Sequence, residues 1–115
     1  MNIARLEFFR GTLDVLILKA LAFGPLHAYA ITDLIRRHSD HVLLLQEGTL
    51  YPAVGRLESK GLLAATWGLS ENNRKAKFYR LTLEGRRQLR HEVKTWKAYA
   101  SAVAKVLGAR RNSVS

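Results

Sequence analysis

Leu89, Val93, Trp96, Ala100, Val103 and Leu107 recur at intervals of 4, 3, 4, 3 and 4 residues. That spacing keeps one stripe of a helix apolar and is the seam pattern of coiled coils. Thr82 is a suitable N-cap for such a helix, and Glu84 in its first turn opposes the helix dipole. A helix of about 25 residues is roughly 38 Å long. A domain built from only 115 residues has about that diameter, so much of the helix must project. A stripe of this kind more commonly packs on its own core. Here its length favours a second copy of the chain, and residues 83–108 read as a dimerisation helix followed by a frayed tail, 109–115.

Upstream, GTLDVLILKALAF (11–23) is apolar on two sides. Leu13, Leu16, Ile17, Ala20 and Leu21 form one helical face, and Val15, Leu18 and Ala22 form a second. A helix apolar nearly all round is buried from two directions, and Val15 and Leu18 are therefore expected to meet the partner subunit. Gly24-Pro25 breaks this helix. HAYAITDLIRRH (27–38) then forms an amphipathic one, with Ile31, Leu34 and Ile35 inward. In LQEGTLYPAVGRLESKGLL (45–63), Leu50, Val54 and Leu57 mark a third helix despite Gly48, Pro52 and Gly55. A start with Thr49 as N-cap keeps Pro52 in the first turn, where no intrahelical hydrogen bond is lost. It also leaves Gly48 in the preceding bend, and Gly61 is the expected C-cap. LLAATW (62–67) and AKFYRLT (76–82) are strand-like, joined by GLSENNRK, which is rich in turn formers.

The formal charge is +10 and the pI near 10.6, a balance that favours polyanionic partners. Its distribution is uneven. Residues 27–60 carry four Lys/Arg and four Asp/Glu, whereas residues 71–94 carry eight against three, a local excess of +5. A solvated basic face is the bland alternative, but the concentration argues for a binding surface. There are no cysteines, hence no disulfide framework, thiolate metal site or Cys nucleophile. No apolar run suggests a membrane span, and the N-terminus does not read as a signal peptide, so a cytoplasmic address is expected. No Gly-rich phosphate loop, metal-ligand triad or catalytic Ser/His/Asp set can be argued, and neither an enzyme nor a cofactor is expected.

Three helices, a basic hairpin and a long helix predict a mainly α fold with a small β-hairpin. The arrangement is a winged helix-turn-helix over residues 1–82 followed by the dimerisation helix. In such folds the third helix enters the major groove and the wing grips the adjacent backbone. The same architecture can serve protein–protein contact, which would not require a cationic wing tip, or RNA binding. GTLDVLILKAL, GPLHAYAI, EGTLYPAVGRLESKGLL and NNRKAKFYRLTLEGRRQL, in this order across about residues 8–108, resemble the PadR-like transcriptional regulators. The resemblance is closest to the short members with one C-terminal helix. It implies a homodimeric repressor released from DNA by a small aromatic or amphipathic effector. A dimer with two recognition helices about 34 Å apart is expected on a near-palindromic operator in double-stranded DNA. Two positions depart from the family: Ala28 stands where glycine is common, and Gly55 where a larger polar or basic residue is common.

The candidate DNA contacts are Thr49, Tyr51, Pro52 and Arg56 on the third helix and Arg74, Lys75 and Lys77 on the wing. Arg56 could read guanine or pair with a nearby acid, and Tyr51 could reach a phosphate or pack under the wing. Arg86, Arg87 and Arg90 read as a solvated face. The dimer interface is expected at Leu89, Val93, Trp96, Ala100, Val103 and Leu107 with Val15 and Leu18. Trp96 in mid-seam is either interface packing or, as the resemblance implies, the wall of an effector site. That site would comprise Trp96, Val93, Tyr99 and Ala100 with Phe8 or Leu16 contributed by the second copy of the chain.

Overall fold

The computed structural model describes residues 11–110 and realises the expected order of elements with one addition. Helix α1 (Thr12–Leu21) leads to a two-residue strand β1 (Leu26–His27), then α2 (Ala28–His38) and α3 (Glu47–Ser59). The wing strands β2 (Leu63–Leu69) and β3 (Lys75–Leu81) precede the 25-residue α4 (Leu83–Leu107). The hairpin is thus part of a three-stranded antiparallel sheet, ordered β1-β3-β2. Leu26 pairs with Tyr79 and His27 with Phe78. A two-residue strand leaves no periodic signal in sequence, so only the fold reveals it.

The apolar faces of the first three helices close on the base of the sheet. Ile17, Leu18, Leu21, Ile31, Leu50, Val54 and Leu57 are the largest fully buried side chains. Leu63, Tyr79 and Leu81 complete the same core from the wing. His27 caps α2, its Nδ1 accepting the Ala30 N–H at 3.3 Å. Ala28, the departure from the family pattern, is the first helical residue and is buried, so it needs no glycine conformation.

Two joints set the orientation of the elements. At the end of α3, Gly61 adopts φ 76°. Its N–H donates to the Glu58 carbonyl at 2.9 Å, and that of Leu62 to the Leu57 carbonyl at 3.0 Å. This crossed pair closes a helix with a left-handed glycine. At the start of α4, the Thr82 hydroxyl accepts the Gly85 N–H at 3.0 Å and donates to the Gly61 carbonyl at 2.7 Å. Thr82 therefore caps the long helix as expected and ties it to the end of α3.

The start of α3 differs from expectation. The helix begins at Glu47 with Gln46 as N-cap, and no side chain caps it. Thr49 lies within the first turn, Gly48 lies inside the helix, and Pro52 is its sixth residue. The hydrogen bond that Pro52 cannot make would have ended on the Gly48 carbonyl. Gly48 is exposed, so water can satisfy that carbonyl and the proline costs little. The N–H groups of Thr49 and Leu50 both donate to the Gln46 carbonyl at 3.0 Å, tightening the turn ahead of the proline.

Beyond its first turns α4 leaves the core. Leu89 packs against that core, whereas Trp96 is 40% and Leu107 80% exposed. The molecule reaches 61 Å along its longest axis against 31 and 21 Å across.

Candidate nucleic-acid interface

The buried residues of α3 are Leu50, Ala53, Val54 and Leu57. At about 100° per residue, its outward line is Gly48, Pro52, Gly55 and Ser59, all short side chains. Tyr51 and Glu58 flank this line towards the wing, and Thr49 and Arg56 flank it towards α1. The exposed ridge of the helix is narrow and nearly free of long side chains, so its backbone can approach a groove closely.

A cleft of about 510 Å³ separates α3 from the wing. Tyr51 and Glu47 of α3 line one wall, and Trp67, Lys75, Lys77 and Tyr79 of the wing line the other. Arg74 stands at the wing tip and Tyr29, in the first turn of α2, at the far end. The tip is a Ser70–Asn73 turn in which the Ser70 carbonyl accepts the Asn73 N–H at 2.9 Å and Asn73 adopts φ 60°. Lys75 lies in the strand rather than the turn, and its Nζ sits 5.2 Å from the centre of the Trp67 ring. Lys77 Nζ is 3.6 Å from Glu58 Oε1 and 5.5 Å from the centre of the Tyr79 ring. An exposed pair of this length is weak, about 0–1 kcal/mol, and leaves the ammonium free to change partner. Burial pushes the Tyr79 hydroxyl above its usual range, so it stays a donor.

Thus Tyr51, Lys75, Lys77 and Arg74 come together on one surface, with Thr49 and Pro52 on the adjoining exposed side of α3. Arg56 does not join them. Its Nη2 holds Asp14 Oδ1 of α1 at 2.6 Å, the acid-paired alternative, because its place on the helix turns it towards α1. Tyr29 and Trp67 join the surface without having been expected there. Tyr29 is a large aromatic off the apolar face of α2, and Trp67 continues the alternation of Leu63 and Ala65 outward beyond the core.

The expected effector and dimer residues are distributed differently. A shallow cleft of about 340 Å³ lies between α1 and α4, lined by Gly11, Thr12, Val15, Glu92, Thr95, Trp96 and Tyr99. Trp96 and Tyr99 face each other there with ring centres 6.0 Å apart. Val93 and Ala100 do not line this cleft, because they lie on the other flank of the seam. Leu16 packs against the chain's core, and Phe8 lies outside the described residues. Leu18 is fully buried in the core and has no surface to offer a partner, because the end of α3 and the first turns of α4 in its own chain border that side of α1. Val15 is buried against the α4 side of α1. Val93, Ala100 and Val103 are half-buried, and Leu107 is open.

A tri-helical core with a cationic wing beside its third helix defines a winged helix-turn-helix of the DNA-binding class. A model of the PadR-like transcriptional regulator family matches residues 17–91. The chain belongs to that family, one of transcription regulators and not of enzymes. A transcriptional regulator from Clostridium thermocellum superposes with a TM-score of 0.75 at 31% identity, over 84% of this chain and 93% of its own. A PadR family regulator from Eggerthella lenta is 38% identical with a TM-score of 0.72, over 88% and 86% of the two chains. An uncharacterized protein of Lysinibacillus sphaericus is 33% identical over 92 residues, 80% of this chain and 84% of its own. Among the described residues no helix is long and apolar enough to cross a membrane.

Proposed function

We propose that the chain is a homodimeric repressor that binds a near-palindromic operator and is released by a small aromatic molecule. The observation that carries the DNA reading is the cleft between α3 and the wing, where Arg74, Lys75 and Lys77 gather beside Tyr51. In this reading α3 enters the major groove along its Gly48–Ser59 line. Tyr51 and Thr49 reach the flanking phosphates, and the wing holds the adjacent backbone. With so few long side chains on α3, the cationic wing supplies much of the affinity. Arg56 serves the fold through Asp14 before it serves DNA.

Two α4 helices would join through Val93, Trp96, Ala100, Val103 and Leu107, completed by Val15 on α1, and hold the recognition helices about 34 Å apart. The uncovered apolar length of α4 supports this. Trp96 and Tyr99 form the floor of the effector site, and the effector acts by preferring one angle between subunits. Replacing Arg74, Lys75 and Lys77 with neutral residues is expected to weaken binding on all duplexes. It should also reduce the slope of log K against log salt by up to about five for the dimer, since three cations are lost from each subunit and each phosphate no longer neutralised counts for about 0.9. An unchanged slope would reject the wing as the phosphate-binding element.

A further inference from the structure

Alternation along the wing puts Leu63, Ala65, Trp67 and Leu69 of β2 on one face, paired across to Leu81, Tyr79, Lys77 and Lys75 of β3. The residues nearest the helices are covered: Leu63, Tyr79 and Leu81 are buried in the core. Farther out the cover ends. Trp67 is 63% and Leu69 65% exposed, an unusual use of two large apolar side chains on a strand that already has its core contacts. Each stands directly opposite a lysine, Trp67 across from Lys77 and Leu69 across from Lys75. Trp67 also carries the Lys75 ammonium over its ring at 5.2 Å.

The opposite face of the wing is anchored. Phe78 meets the His27 ring edge-on, with centres 5.4 Å apart, and fills the space beside Gly68, where an added Cβ would lie 3.2 Å from the Phe78 ring. The Trp67 face is therefore the free one, and it looks into the cleft shared with Tyr51 of α3. A surface that alternates apolar and cationic groups matches the nucleic-acid backbone, which alternates the apolar face of a sugar with an anionic phosphate. A protein partner would not explain why each apolar residue is set opposite a lysine within the cationic cleft.

We propose that Trp67 is a DNA-contacting residue of the wing. Its indole packs on a deoxyribose of the backbone flanking the groove entered by α3, with Leu69 extending the apolar row and Lys75 and Lys77 taking the neighbouring phosphates. This inference rests on the DNA-binding reading and deepens it. The contact is independent of base sequence. It differs in kind from the lysines, because it adds affinity without releasing counterions.

The test uses full-length protein and a duplex selected by the wild-type chain from random DNA. Trp67→Ala is expected to lower affinity about tenfold at every salt concentration, as removal of a large buried apolar group does, with the salt slope unchanged. Trp67→Phe should recover most of the affinity, while Lys75→Ala should lower the slope by about two, one contact being lost from each subunit. The chain has two tryptophans, so the difference in emission between wild type and Trp67→Phe isolates Trp67, and bound duplex should shield that component from acrylamide quenching. Wild-type affinity in Trp67→Ala, or equal quenching of Trp67 with and without DNA, would overturn the proposal while leaving the DNA reading intact. A fall in slope matching that of Lys75→Ala would also overturn it, since Trp67 would then act only by holding the lysine. Wild-type protein that selects no duplex overturns both.

Discussion

Two helical glycines, Gly55 and Gly85, should respond in opposite directions to replacement by alanine. Gly55 is exposed in mid-helix, and a Cβ there would meet nothing within 4 Å. Alanine restores helix propensity at no steric cost, a gain of about 0.5–1 kcal/mol. Gly85 gains the same propensity but sits against the chain. An added Cβ would lie 2.1 Å from the Leu62 carbonyl oxygen, 3.1 Å from its carbon and 3.2 Å from Leu81 Cδ2. No side-chain rotation relieves a clash with backbone. That carbonyl also accepts the Thr82 N–H at 3.1 Å, so moving it disturbs the cap of α4 and the closure of α3 together. Overpacking costs about 1–3 kcal/mol, and displacement of backbone puts this case at the upper end. After the propensity gain the net destabilisation is about 2 kcal/mol. Urea unfolding at one fixed protein concentration measures both variants, with a separation of about 3 kcal/mol between them. A Gly85→Ala protein as stable as wild type would refute the claim that α4 is seated on the carbonyl of Leu62.

Other consequences are as direct. Val93→Asp with Val103→Asp should yield monomers by analytical ultracentrifugation and little operator affinity. Tight binding by such monomers would refute the two-fold arrangement. A double-mutant cycle on Asp14→Asn and Arg56→Gln should give a coupling of about 0.5–1 kcal/mol, as expected for a half-exposed ion pair; no coupling would mean that the pair is absent in solution. Hydrogen bonds from Arg36 and then Arg37 hold the Asp33 carboxyl below its ordinary value of 3.8. A carboxylate lowered in the folded state stabilises above its unfolded pKa and loses that contribution as pH falls through its folded one. The stability difference between wild type and Asp33→Asn should therefore persist at neutral pH and fade below about pH 3.8. A difference independent of pH would contradict the pairing.

Local chemistry made much of this fold readable. Thr82 and Gly61 act within a few residues of where they stand and took their expected places at the helix ends, and the 4-3 spacing marked a single helix, Leu83–Leu107. Leu26–His27 did not announce itself, because two residues become a strand only when β3 arrives beside them. The start of α3 was misplaced for a quantitative reason. A late start is required only if the missing N–H of Pro52 is costly, and the exposed Gly48 carbonyl has water available. Leu18 and Arg56 show the limit of patterns on one helix. The second apolar side of α1 is covered by its own neighbours, and Arg56 finds Asp14, 42 residues earlier in the chain. Candidate contacts on the wing were legible as a charge excess. Trp67 was not, because attention to charge passes over an aromatic whose only unusual property is exposure.

The central claim is that two copies of this winged helix read one duplex together. Selection of duplexes from random DNA by the purified full-length protein, followed by footprinting and stoichiometry at physiological salt, tests it most directly. Two chains per duplex are predicted, on two inverted half-sites centred about one helical turn, roughly 34 Å, apart. A single half-site occupied by one chain, or binding indifferent to DNA sequence, would contradict it.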